Sequence, residues 1–109
     1  MAGKNGELPV GTLEQILATG DVANQTKLVE MPEWGCSIRL RGLTWGEYAA
    51  MAEMSLAEVE AYALSIATVE PVLTREQAAT LIATKSAGSI RQFVRELMDL
   101  SGLGESFRA

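Results

Sequence analysis

The sequence predicts a small single-domain α+β fold, mostly helical, with four to five helices and one antiparallel β-hairpin near residues 27–42. Three observations carry this. Two alternating stretches, TKLVEM and CSIRLRGL, flank the Pro-Glu-Trp-Gly run at 32–35. Downstream, apolar residues recur at helical spacing. Thr12, Thr44, Ser55 and Thr74 each precede a Glu or Gln by three positions, the reciprocal capping arrangement that opens helices.

The elements follow in order. Residues 1–11 are glycine-rich and polar and are expected to be a flexible N-terminus. The domain proper spans 12–103, and residues 104–109 form a tail. Thr12 and Gln15 open a short helix carrying Leu13, Ile16 and Leu17, with Gly20 expected as its left-handed stop.

In the second hairpin strand Ile38 and Leu40 face one side, and Ser37, Arg39 and Arg41 the other. Pro32 presets φ for the reversal, and Gly35 can take the positive φ that a tight turn requires. Trp34 then sits at the tip, either folded back as a lid on the core or protruding as an anchor for a partner.

Thr44 with Glu47 starts a helix through Trp45, and Ser55 with Glu58 starts another, implying a joint near Met54. The stripe Leu56, Val59, Tyr62, Ala63, Ile66 and Val69 predicts a core-facing helix ending before Pro71. Thr74 and Gln77 open a helix of about ten residues. After a turn over Ser86–Ser89, the residues Ile90, Phe93, Val94, Leu97 and Leu100 predict an amphipathic helix closed by Gly102 and Leu103 in a Schellman ending.

Composition narrows the function. The 109 residues contain no histidine and a single cysteine, Cys36. A Cys/His zinc site, an internal disulfide and imidazole catalysis are therefore excluded. Cys36 reads as a small semi-buried apolar residue in a reducing cytosol. Glu47, Glu53, Glu58 and Glu60 cluster in sequence, but Glu47 and Glu58 are capping residues and the others a solvated face. With no glycine-rich phosphate loop either, the chain is expected not to be an enzyme and to need no cofactor or metal.

The net charge is −5, and it divides unevenly: residues 1–70 carry four bases against ten acids, residues 71–109 five against four. Nucleic acid is disfavoured as a partner of the whole chain. The exception is residues 74–101, which read as helix, short turn and helix carrying Arg91, Gln92 and Arg95. That outline makes a helix-turn-helix DNA-binding regulator the alternative function. No apolar run reaches the length of a membrane span, and the first eleven residues lack the apolar centre of a signal peptide.

The succession LVEMPEWGCSIRLRGLTWGEYAAM, an alanine-rich helix, VEPVLTREQAATLI and a close in LMDLSGLG resembles the tail assembly chaperones of long-tailed bacteriophages. That family typically has a valine, proline, glutamate, tryptophan, glycine turn, an arginine strand, a capped helix, and a leucine, serine, glycine, leucine close. The matching positions here are Val29 with Pro32 to Gly35, Ile38 to Arg41, Thr44 with Glu47, and Leu100 to Leu103, and the likeness covers residues 12–103. Met31 and Cys36 depart from the usual pattern without disturbing the hairpin.

The resemblance implies a protein of the host bacterial cytoplasm, absent from the mature virion. Such a chaperone binds the tape-measure protein, keeps it soluble and helps tail-tube polymerisation. The tape-measure protein, the tail-tube protein and further copies of the chain, as a weak homo-oligomer, are the implied partners. Trp34, Arg39, Arg41, Met51 and Met54 are the candidate partner-binding residues. Methionines suit adaptable apolar surfaces, although each could equally fill a gap in the core. The outward arginines on a hairpin edge are expected to pair with acidic neighbours or to protect that edge.

Overall fold

The structure, a computed structural model, describes residues 8–22 and 25–103. The expected loose start and closing tail fall mainly outside them, at 1–7 and 104–109. The element order is α1 (Leu13–Ala18), β1 (Thr26–Met31), β2 (Cys36–Arg41), α2 (Trp45–Ala50), α3 (Leu56–Ala67), β3 (Thr68–Glu70), α4 (Arg75–Thr84) and α5 (Ala87–Leu100). The fold is α+β, as expected.

The hairpin forms at the predicted place. β1 and β2 pair antiparallel from Thr26 opposite Arg41 to Met31 opposite Cys36. Between them Pro32–Trp34 makes one 3-10 turn, and Gly35 closes it at φ 72°, a backbone region costly for any residue with a Cβ. Because opposed residues share a face, Val29, Met31, Ile38 and Leu40 all turn inward and are buried.

A third strand was not foreseen. The stripe ending in Val69 predicted helix up to Pro71, but α3 stops at Ala67 and Thr68–Glu70 pairs antiparallel with β2. A residue preceding proline is pushed out of helical geometry, Thr68 and Val69 are β-branched, and Arg39 and Leu40 offer an unpaired edge opposite Glu70 and Thr68. β2 thereby becomes the central strand of the order β1-β2-β3.

The helices start where their capping residues predict. Reciprocal capping boxes open α2 (Thr44 with Glu47), α3 (Ser55 with Glu58) and α4 (Thr74 with Gln77). The joint between α2 and α3 is a 3-10 turn over Met51–Glu53 followed by extended Met54. The turn before α5 is shorter than expected, because Ser86 itself caps the helix by accepting from the Ser89 amide. At its other end Leu103 N–H donates to the Met98 carbonyl and Gly102 N–H to Asp99, with Gly102 at φ 77°. This is the predicted Schellman ending.

Gly20 does not act as the left-handed stop of α1. The positive-φ glycines among the described residues are Gly35 and Gly102. Instead the Thr19 hydroxyl donates to the Gln15 carbonyl and its backbone leaves extended, which ends the helix without a reversal.

The core lies between the inner sheet face and the helices. Phe93 and Leu97 of α5, Leu64 and Ala67 of α3, Ala78 of α4, and Leu43 and Met51 of the connections complete it. α5 lies on β1 and β2, while α4 packs along α3.

Candidate functional site

At the hairpin tip Trp34 takes the lid position. It packs half-buried against the core, and its Nε1 donates to Ser89 Oγ on α5 at 2.9 Å. Glu33 beside it accepts from the Ser86 hydroxyl. The tip is therefore tied down at the start of α5.

The two arginines do not line a free edge: β3 pairs with β2 at Arg39 and Leu40, and Arg41 is held by Glu47 of α2. Arg39 Nε meets Glu70 Oε1 at 2.9 Å across the β2–β3 pair. Arg41 holds Glu47 with both guanidinium arms, Nη1 to Oε1 at 2.9 Å and Nη2 to Oε2 at 2.8 Å. This fork draws the Glu47 carboxyl down to about 2, aided by the Thr44 amide and opposed by partial burial. Lys27 pairs with Glu96 at 2.8 Å, tying β1 to α5 and raising the lysine pKa.

The methionines serve mainly as filling. Met31 and Met51 are core residues, 1% and 8% exposed, and Met54 is half-buried. Of the five residues proposed for partner contact, Met51 is thus withdrawn from the surface by the 3-10 turn that aims it inward. Trp34, Arg39, Arg41 and Met54 retain partial exposure but do not form one patch.

A different surface is exposed instead. α1 buries none of its residues, and Leu13, Ile16 and Leu17 present their aliphatic chains to solvent at 69%, 64% and 75% exposure. Trp45, at the first turn of α2, is 74% exposed and stacks obliquely on Tyr48 with ring centroids 5.5 Å apart. Asp21 and Val22, just after α1, share a shallow cavity of about 250 Å³ with Trp45 and Tyr48. The arm and the exposed tryptophan thus lie at the same end of the molecule.

Sequence reasoning placed Trp45 in a first helical turn and stopped there. The available signal was that α2 begins with two aromatics three positions apart, on a helix too short to bury both. Two acidic side chains stand at this end, Glu14 on α1 and Asp21 just after it, both exposed.

Among the described residues no group of three or more potential ligands could hold a metal ion, and no helix is long and apolar enough to cross a membrane. No protein-family model, curated protein or solved structure matches the chain.

Proposed function

We propose that the protein is a phage tail assembly chaperone, which holds the tape-measure protein in solution in the host cytoplasm until tail-tube subunits polymerise around it. The observation that carries this reading is the exposed apolar end: Leu13, Ile16 and Leu17 on an undocked helix, beside Trp45. Large aliphatic and aromatic side chains held in water on an otherwise acidic chain suit reversible cover of apolar helical segments. Each side chain buried on binding contributes about 1.5–3 kcal/mol. Association costs of similar total size leave an affinity weak enough for later displacement.

The sequence resemblance supports the same reading, since its turn, arginine strand, capped helix and leucine-serine-glycine-leucine close all fall on defined elements of the fold. The arm replaces the methionines as the contact surface, and several copies would act together along the target as a weak homo-oligomer. The helix-turn-helix alternative has less behind it. α4 packs on α3 and α5 on the sheet, and the Gln92 amide is already donated to the Glu30 carbonyl.

Co-expression with the tape-measure protein tests the proposal. The soluble fraction of the tape-measure protein rises in the presence of the chain; an unchanged fraction refutes the coating role. Duplex DNA retarded in a salt-dependent manner at micromolar protein would promote the alternative.

A further inference from the structure

We infer that the cavity between the hairpin tip and the α3–α4 pair is a binding site for a phenol bearing a carboxylate, either a free 4-hydroxyphenyl acid or a tyrosine beside an acidic residue. The inference is independent of the chaperone reading. The cavity holds about 270 Å³, with walls of Trp34, Ile38, Leu64, Leu73 and Leu81. It falls just short of the roughly 300–1,000 Å³ that houses drug-sized ligands, so one ring with a short substituent is what it accommodates. The Trp34 N–H is engaged by Ser89, which leaves the indole ring as an aromatic wall.

Two polar groups define the rest of the ligand. Thr68 lines the cavity, is 5% exposed, and its Oγ1 is the buried side-chain polar atom that lacks a partner among the described residues. The large majority of buried side-chain polar atoms have a hydrogen-bond partner. A phenolic hydroxyl can donate to this one or accept from it. Lys85 also lines the cavity, is exposed, and forms none of the ion pairs found among the described residues. It is the one cation of the lining, and it suits an anionic group carried outside the ring.

The two ends of the described residues do not fill the site. Leu8 is 78% exposed, and Leu103 lines, with Val22, the cavity beside Trp45, at the end of the hairpin where Thr26 opposes Arg41. The phenol site is at the other end, where Met31 opposes Cys36, about 17 Å of strand away.

Cys36 lines the cavity and is the only thiol of the chain, so its alkylation by iodoacetamide reports occupancy of the full-length protein. Calorimetry gives the affinities. The probes are 3-(4-hydroxyphenyl)propionate and an acetylated Tyr-Asp peptide amide, with 3-phenylpropionate and 4-ethylphenol as controls.

The hydroxy acid is expected to bind and to slow alkylation of Cys36. Deleting its hydroxyl, or substituting Thr68→Val, weakens binding roughly fivefold, the worth of one net hydrogen bond. Making both changes together costs no more than either alone, and Thr68→Ser restores the preference. Lys85→Gln weakens the acid and leaves 4-ethylphenol unaffected. Tighter binding of the peptide assigns the site to a protein partner, and the reverse to a free acid. The inference is overturned if 3-phenylpropionate binds the wild type as well as the hydroxy acid does, if Thr68→Val keeps the preference, or if millimolar probe fails to protect Cys36.

Discussion

Trp34 and Ser89 are 55 positions apart in sequence, yet the indole Nε1 sits 2.9 Å from the serine hydroxyl, so the hairpin tip is latched to the first turn of the longest helix. Ser89 is 2% exposed and also donates to the Ser86 carbonyl. Trp34→Phe keeps most of the ring and loses the latch, an expected cost of about 1 kcal/mol. Trp34→Ala removes the lid as well and is expected to cost about 3 kcal/mol. Urea unfolding of the two variants separates the contributions, and equal costs would mean the hydrogen bond accounts for everything.

The Arg41–Glu47 fork gives stability a definite pH dependence. Glu47 has its pKa depressed to about 2 in the folded chain, below its ordinary value of about 4.3 in an unfolded one. The stabilisation is therefore fully present above the unfolded value and is lost as pH falls from about 4.5 to 2. Glu47→Gln preserves the capping geometry but not the charge, and is expected to cost about 1 kcal/mol. Glu47→Ala also removes the cap and is expected to cost about 2 kcal/mol. In Glu47→Gln the acid limb of the stability curve, followed by circular dichroism, flattens.

Gly42 is required by close approach. A Cβ there would stand 2.8 Å from the Leu100 carbonyl oxygen and 3.0 Å from its carbon, both backbone atoms at the end of α5. Gly42→Ala must push α5 away from the hairpin base, stretching the 2.8 Å bond from the Leu43 amide to Ser101 Oγ. An expected loss of about 1–3 kcal/mol follows. Gly46→Ala, whose nearest neighbour would be 3.9 Å away, serves as the neutral control.

The arm separates folding from binding. Leu13, Ile16 and Leu17 contribute nothing to the core, so serine at all three positions is expected to leave the unfolding midpoint of the domain within about 0.5 kcal/mol of the wild type. Under the proposed chaperone role, the same triple variant, and Trp45→Ser on its own, are expected to leave the soluble fraction of the tape-measure protein in co-expression no higher than without the chain. A retained effect would move the contact surface elsewhere.

What could be read from the residues alone divides by range. Capping pairs such as Ser55 with Glu58 need only three positions of spacing, and the Schellman closure at Gly102 only five, so both are written locally. The hairpin was equally legible, because Pro32 fixes its own φ and Gly35 is free to take the positive φ that closes the turn. β3 was not: three residues make a strand only because β2 lies alongside, and nothing within Thr68–Glu70 names that neighbour.

The same third strand moved Arg39 from a free edge to an ion pair with Glu70, while Arg41 found its acidic partner in Glu47 of α2. Burial of Met51 and exposure of Leu13, Ile16 and Leu17 are likewise products of how whole elements dock. An amphipathic pattern states that a face wants cover, but leaves open whether the same molecule supplies it.

The flanks of the sheet bear on how the protein behaves when concentrated. One border is a strand of three residues, and on the other the Glu30 carbonyl is already taken by Gln92. Ribbon-to-ribbon stacking between molecules has little purchase on such borders. Crowded solutions are expected to thicken through reversible clustering of aliphatic arms while thioflavin dye stays dark, so that a store of the protein can dissolve again on dilution.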